Sequence, residues 1–331
     1  MKAQVLYKTA QVEEKPLQFI DVPLPKIEKS EILIKVLACG MCLTDRHIIE
    51  GDLSLKHSPI IPGHQIVGKV EKIGESVTNF KIGEMVGVPW LFSTCSQCYY
   101  CTHGNENLCE HSEFTGRDVN GGYAQYTKAK EDFAIKLTKE INPIQFAPLL
   151  CAGIVGYRSY KLSMIKPGEH LGLFGFGSAA HIVIQIANYQ GCDISVFTRG
   201  KPHQEHAKKL GAIFAGPVDK APPKPLDSAI IFAPAGELVP FALNYLKRGG
   251  TLAFNAIHAS PIPQLDYSQI YYEKKLLSVA NATREDAVEF LQIAVEANVH
   301  AQVTTYPIEE ANQAHIDAKN GKVTGSIVFV L

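Results

Sequence analysis

HLGLFGFGSAAHIVIQIANYQG, residues 170–191, is the stretch whose reading decides the fold. Residues 170–174 are a short apolar run, as a buried strand is, and 178–190 carry apolar residues at helical spacing. Between them stands Gly175-Phe176-Gly177-Ser178-Ala179-Ala180, a G-x-G-x-x-A pattern. In a strand–turn–helix context the first glycine makes the turn and the second lets backbone approach a pyrophosphate. The small Ala180 permits close helix–sheet packing. The helix N-terminus then offers its N–H groups to phosphates. Working outward, DISVFT (193–198) reads as a second strand and KPHQEHAKKLGA as a helix ending at Gly211. LDSAIIFAP (226–234), GGTLAFN (249–255) and KKLLSVA (274–280) read as further buried strands with helical segments between several of them. This alternation predicts an α/β unit, a doubly wound parallel sheet covered on both faces. Thr283-Arg284-Glu285-Asp286 resembles a capping box opening a helix through about 297. VTGSIVFVL (323–331) is a strand that can return to an earlier domain.

Residues 1 to about 130 read as β-rich, with short runs such as EILIKVL (31–37) and QIVGKVEKIG (65–74) punctuated by Gly and Pro. Within them CGMCLTDRHIIEGDLSLKHSPIIPGH, residues 39–64, offers a thiol at Cys42, polar groups at Thr44 and Asp45, and imidazoles at His47 and His64. Thr44 or Asp45 is expected to cap a short helix at 46–50, with Cys42 in the turn before it. A catalytic zinc needs three nitrogen or sulfur ligands and an open position, so a Cys, a His and a distant third Cys suffice. Cys151, in PLLCAGIVGY, is that third. Cys95, Cys98, Cys101 and Cys109 follow a zinc-ribbon-like C-x2-C-x2-C-x7-C spacing. Four thiolates in one turn-rich loop close a tetrahedral shell with no open position, hence a structural metal.

A chain of 331 residues favours two domains. The 32 Lys+Arg balance 33 Asp+Glu, which leaves no electrostatic footprint for nucleic acid or an anionic membrane. No apolar run reaches the roughly 18 residues of a spanning helix. The opening MKAQVLYKTAQVEEKPLQF has neither the basic nor the apolar region of a signal peptide. Eight cysteines in such a chain point to metal or reactive thiols rather than disulfides, and a cytoplasmic location is expected.

To bind the ribose 2′-OH of NAD, the second strand of the nucleotide unit should end in an acid. It ends Phe197-Thr198-Arg199-Gly200, and Asp193 sits at the strand's opposite end. A neutral residue followed by Arg suits a 2′-phosphate, which a guanidinium grips with two hydrogen bonds. NADP is therefore the expected coenzyme, with NAD the alternative.

These motifs together resemble the zinc-dependent medium-chain alcohol dehydrogenases: CGxCxTD (Cys39 to Asp45), PGH (Pro62 to His64), the four-cysteine lobe, CAG (151–153) and the glycine fingerprint (175–180). The resemblance runs along essentially the whole chain. It implies a GroES-like catalytic domain over 1–152 with a structural zinc lobe at 93–111, an inserted Rossmann domain over 153–284, and a return over 285–331. It places the active site in the cleft. It implies two zinc ions per subunit, with Cys42, not Cys39, joining His64 and Cys151 at the catalytic one. Cys39 is then a packed thiol, and Cys192 an inert one. Thr44 matches the family's relay hydroxyl, His47 its outer imidazole reached through the coenzyme ribose, and Asp45 the carboxylate that orients a ligand imidazole.

Three positions depart from or qualify that pattern. Gln65 replaces the Glu that often follows the ligand His, and Ser326 stands where many relatives carry a pyrophosphate-binding Arg. Trp90 resembles the bulky residue lining the pocket of short-alcohol enzymes. The implied activity is hydride transfer between a small primary or secondary alcohol and NAD(P). An aryl (cinnamyl-type) aldehyde reductase or a polyol dehydrogenase is the alternative. A homodimer or homotetramer acting on a small alcohol or aldehyde, without nucleic-acid or membrane partners, completes the expectation.

Overall fold

In the computed structural model, which describes Met1–Leu331, the chain forms two compact units: Met1–Cys151 with Ala301–Leu331, and Ala152–His300. No helix is long and apolar enough to cross a membrane.

The second unit is built around the quoted stretch. His170–Phe174 is a fully buried strand and Ser178–Tyr189 a helix, separated by the Gly175–Gly177 turn. Six parallel strands follow the order Phe214–Gly216, Asp193–Phe197, His170–Phe174, Leu226–Ile231, Leu246–Phe254, Lys275–Ser278. Numbered by position in this unit, that order is 3-2-1-4-5-6, the Rossmann arrangement, with its reversal point beside the His170 strand. The strands read over 226–234 and 274–280 are shorter than expected, ending at Ile231 and Ser278. The fifth starts earlier than expected, at Leu246. Ile182, Val183, Ile184 and Ile186 of the Ser178 helix are all fully buried. Each such side chain is worth roughly 1.5–3 kcal/mol of burial.

The Thr283 box forms as read: the Thr283 hydroxyl accepts from Asp286 N (3.1 Å), and the Asp286 carboxylate accepts from Thr283 N (2.9 Å). The helix it opens, Arg284–Glu296, packs within the second unit. Phe290 is fully buried against Gly153, where any Cβ would collide with its ring, and Arg158 pairs with Asp286 at 2.6 Å. The compact units therefore divide at 300/301, where the sequence reading drew the return at 285.

The first unit holds a sheet in the order Val303–Pro307, Ser326–Val330, Glu31–Met41, Gln65–Ile73, Met85–Val88, Ile135–Leu137, with Tyr126–Lys130 also on the Glu31 strand. Ser326–Val330 runs antiparallel to Glu31–Met41 with Val328 opposite Gly40, so the expected returning strand lies in this sheet. Ile32, Ile34, Ile66 and Phe329 are completely buried in its core. This β-rich unit and the parallel-sheet unit are the GroES-like and Rossmann-like halves of the expected fold class.

Candidate metal centres and coenzyme site

Antiparallel pairing assembles the first cluster. Gly40 lies opposite Gln65, so Cys42, just past the end of one strand, meets His64, just before the start of the other. Cys151 follows the turn Ala147–Leu150, whose Ala147 and Leu150 pack with Ala38, Val67 and Val328 under the same sheet. The ligand atoms of Cys42, His64 and Cys151 lie within 4.8 Å of one another.

The helix after Cys42 spans Leu43–Glu50, longer than the expected 46–50, and its cap is Cys42 rather than Thr44 or Asp45. Cys42 Sγ accepts from Thr44 N at 3.3 Å, and Asp45 Oδ2 accepts from Cys42 N at 2.8 Å. An anionic sulfur suits this position because the helix N-terminus carries partial positive charge. Asp45 Oδ1 accepts from Gly63 N (3.2 Å) and lies 2.8 Å from His64 Nδ1. That contact turns Nε2 toward the sulfurs. His64 Nε2 is buried without a hydrogen-bond partner, the arrangement expected of a nitrogen that binds a metal.

The electrostatics agree. The Cys151 thiol, donating to the Cys42 sulfur, holds Cys42 well below the usual thiol range, and the same donation pushes Cys151 up. Burial pulls the His64 imidazole down, but Asp45 and Cys42 together outweigh it and raise its pKa to about 10. Sulfur and carboxylate charge thus converge on one imidazole, and the donor set fits a borderline cation such as zinc.

Around this cluster the other named residues take distinct places. Thr44 and His47 are three apart on the capped helix and so share a face. His47 Nδ1 lies 2.7 Å from Asp52 Oδ2, a partner sequence reading did not supply. Trp90 is buried, its ring edge-to-face with His64 at 4.7 Å and stacked on Phe114 at 4.9 Å. Gln65 is fully buried over Gly40, and neither polar atom of its side chain has a partner. Cys39 is a packed thiol whose pKa burial raises well above the usual range. Ser326 is buried at the start of the returning strand, donating its N–H to Gln302 O.

The second cluster is local. Cys95–Cys101, Cys98–Cys101 and Cys95–Cys109 sulfur separations are 4.0, 3.5 and 3.6 Å. Metal–sulfur bonds of about 2.3 Å in a tetrahedron put sulfurs about 3.8 Å apart, so the spacing fits one shared ion. All eight cysteines are free thiols, with no disulfide. The amides of Gln97 and Cys98 donate to Cys95 and lower its pKa to about 6, while burial pushes Cys109 up to about 11.

In the second unit the glycine turn is shaped as its motif requires. Gly175 has φ +88°, and a Cβ there would lie 2.9 Å from Ala233 N, at the end of the neighbouring strand. Nothing lies within 4 Å of a Cβ built on Gly177, so backbone is open to a ligand there. Gly177 caps the Ser178 helix without a side-chain bond, and Ala180 is fully buried against the sheet. The Phe176 side chain is buried edge-on to His206, so at this turn Phe176 offers backbone rather than its ring. Thr198 is tied through backbone, donating to Gly216 O (2.8 Å) and accepting from Gln204 Nε2 (2.8 Å). Arg199 beyond it is exposed, and its charge reaches Glu237. Asp193 is occupied at the far end of the strand by Lys224, 2.5 Å away.

A GroES-like unit with a Cys–His–Cys group that could hold a metal, and a Rossmann-like unit with an open glycine turn, together define an oxidoreductase class. The comparisons agree: residues 28–139 match the alcohol dehydrogenase GroES-like domain family. A probable alcohol dehydrogenase, AdhA, of Mycobacterium tuberculosis is 41% identical over 337 residues, covering 100% of this chain and 97% of its own. An alcohol dehydrogenase of Geobacillus stearothermophilus is 34% identical, covering 97% and 99%. The solved structure of a cinnamyl alcohol dehydrogenase, SbCAD4, from Sorghum bicolor superposes with a TM-score of 0.90 at 26% identity, covering 100% and 98%. The chain belongs to the medium-chain alcohol dehydrogenase family and is an oxidoreductase of that kind.

Proposed function

We propose that the protein is a zinc-dependent, NADP-preferring alcohol dehydrogenase or aldehyde reductase acting on small primary or secondary alcohols and the matching carbonyl compounds. The observation that carries this reading is the buried, unpartnered His64 Nε2 facing two sulfurs, with Trp90 packed on the same imidazole. Cys42, His64 and Cys151 would hold the catalytic zinc, and Cys95, Cys98, Cys101 and Cys109 a second, structural one. When bound, the catalytic ion supplies Lewis acidity that acidifies an alcohol hydroxyl or polarises a carbonyl.

The protein's own residues do the rest. Asp45 fixes the His64 ring so that Nε2 points at the cluster. A bound nicotinamide coenzyme would supply hydride acceptance from an alcohol carbon, leaving the hydroxyl proton for this chain's own residues to remove. Thr44 Oγ1 would accept that proton as it passes its own outward, and His47, its Nδ1 anchored by Asp52, would accept the proton that arrives at the outer end of the relay. Trp90, wedged between His64 and Phe114, restricts the space beside the metal to small groups. Gly175, Gly177 and the start of the Ser178 helix receive the pyrophosphate, Ala180 keeps that helix close, and Thr198 and Arg199 receive the ribose 2′-phosphate. A homodimer or homotetramer belongs to the same proposal.

Initial rates of acetaldehyde reduction with NADPH and NADH test it. We expect a strong NADPH preference, and Arg199→Ala should raise KM for NADPH about 10- to 100-fold with little effect on NADH. That range follows from the roughly 1.5–3 kcal/mol of a charge-assisted contact. A strong NADH preference sinks the assignment of Arg199. The likeness to the Sorghum bicolor cinnamyl alcohol dehydrogenase supports a second reading, an aryl aldehyde reductase with the same metal site. Turnover of cinnamaldehyde with none of acetaldehyde selects it and returns Trp90 to core packing.

A further inference from the structure

Trp90 is the only tryptophan in the chain, and its buried indole contacts the rings of both His64 and Phe114. The two contacts differ in kind. Against His64 the ring planes meet at 67° with centroids 4.7 Å apart, whereas against Phe114 they lie nearly parallel, at 15° and 4.9 Å. A stacked pair of this kind restrains the planes of both rings. Strand pairing brings Phe114 to that place. Leu91–Ser93 and Glu113–Phe114 run antiparallel with Leu91 opposite Phe114, and Thr115 N donates to Trp90 O at 2.9 Å.

Phe114 is itself braced. It is partly buried, and the turn after it folds back: Asp118 N donates to Phe114 O (2.9 Å), and the buried Asp118 carboxylate accepts from Phe114 N (2.9 Å). Gly116, at φ +78°, lets this turn pass the backbone of Gly63, the residue before His64; a Cβ there would lie 2.8 Å from Gly63 N. The Arg117 guanidinium carbon sits 5.7 Å from the Phe114 ring centroid, and Arg117 Nε donates to Ser54 O at 3.2 Å. His57 Nε2 lies 3.0 Å from Asp118 O, so the segment after the Leu43–Glu50 helix is tied to the same turn. A ladder Arg117–Phe114–Trp90–His64 thus leads from a partly exposed cation to the metal cluster.

We infer that Phe114 is a positioning residue for substrate size: its ring, steadied by Arg117, keeps the Trp90 indole on His64 and so keeps the space beside the metal cluster narrow. The inference rests on the reading of Trp90 as the wall of a small pocket. An indole released from the stack gains rotamer freedom, and a swing away from His64 opens room for a flat aryl group. The aromatic stack favours the observed arrangement by a factor of about 2 to 10, and the contact of Arg117 with Phe114 by about 2 to 5.

The test compares kcat/KM for cinnamaldehyde and acetaldehyde, with Trp90 fluorescence as a readout independent of turnover. Excited where tyrosine does not absorb, the emission comes from Trp90 alone. Trp90→Leu should raise the cinnamaldehyde-to-acetaldehyde ratio about 10-fold or more. An unchanged ratio, or a wild type without acetaldehyde turnover, overturns the small-pocket reading and the inference with it. Given that rise, Phe114→Ala should raise the ratio about 2- to 10-fold. Its Trp90 emission should move to longer wavelength and be quenched more readily by acrylamide. Arg117→Ala should act in the same direction, by about 2- to 5-fold. Phe114→Tyr, which keeps the stacking face, should match wild type in both readouts. Trp90→Leu/Phe114→Ala should go no further than Trp90→Leu alone. Wild-type ratio or wild-type emission in Phe114→Ala overturns the inference, as does a further gain in the double variant or an equal change in Phe114→Tyr. If Phe114→Ala fails to fold, Phe114→Leu, which fills the volume without a planar face, decides by the same two readouts.

Discussion

The two metal clusters use the same sulfur chemistry but are assembled differently. The lobe takes all its ligands from Cys95 to Cys109, and neighbouring backbone amides lower its first thiol. Cys42, His64 and Cys151 come instead from three segments gathered by strand pairing and core packing. There the Thr44 amide donates to the Cys42 sulfur, and the buried Asp45 carboxylate pairs with the His64 imidazole. A locally built shell of four sulfurs closes on its ion and serves stability. A shell of three, held by the fold, leaves one position for chemistry. On the proposed function, chemistry at the dispersed cluster rests on distant packing that the lobe does not need.

The largest effect should come from breaking the dispersed cluster. His64→Ala or Cys42→Ala removes a metal ligand and with it several kcal/mol of transition-state stabilisation, on the order of a thousandfold or more in kcat/KM. The fold should persist, since Cys42, His64 and Cys151 lie at strand ends and after a turn rather than within a strand. Steady-state rates together with far-UV circular dichroism check this. Full activity in either variant removes the catalytic metal site from the mechanism.

Cys98→Ala should act in the opposite order, on stability before chemistry. Structural metal sites contribute folding free energy directly, so several kcal/mol and a fall in Tm of about 10 °C are expected. Turnover measured well below that Tm should stay within a few-fold of wild type. If the variant melts like wild type with one metal fewer, the lobe is not a stability device and the contrast between the clusters fails.

The same contrast explains what the chain disclosed before folding. The lobe and the glycine turn are contiguous in sequence, and spacing alone exposes their chemistry. Thr44, Asp45 and His47 were legible because they sit beside Cys42. Tyr123 and His315 were not: Tyr123 reads as an aromatic in a glycine-rich turn, and His315 as a lone imidazole on the inward face of a short helix. Only tertiary packing of the C-terminal helix brings residues 123 and 315 together, and no local pattern encodes that. The helix 284–296 was misassigned to the return segment for a related reason. Its capping box and periodicity identify a helix but not which unit its Phe290 face packs against.

Acid affects both clusters, because their ligands must be deprotonated to hold metal. To compare their acid sensitivity, the fold's own response has to be removed first. His181 supplies part of it from the second unit, which contains neither cluster. Buried in the Ser178 helix, it lies 3.1 Å from Gly177 O through Nδ1, with the His206 ring 5.8 Å away. Burial, with a smaller push from His206, lowers its pKa from 6.5 to about 4. Unfolded, the ring gains a proton below about 6.5, whereas folded it stays neutral to about 4. Between those values the unfolded state binds more protons, so stability falls as pH drops from 6.5 to 4 and levels off below. The shift corresponds to about 3 kcal/mol. His181→Asn, which keeps a donor near the Nδ1 position, should remove that part of the slope while leaving both clusters intact. Urea unfolding at pH 7, 6, 5 and 4.5 measures it. If the variant and wild type lose stability in parallel over this range, His181 does not carry this part of the acid response, and the other buried imidazoles with lowered pKa, His315 among them, share the slope with the clusters.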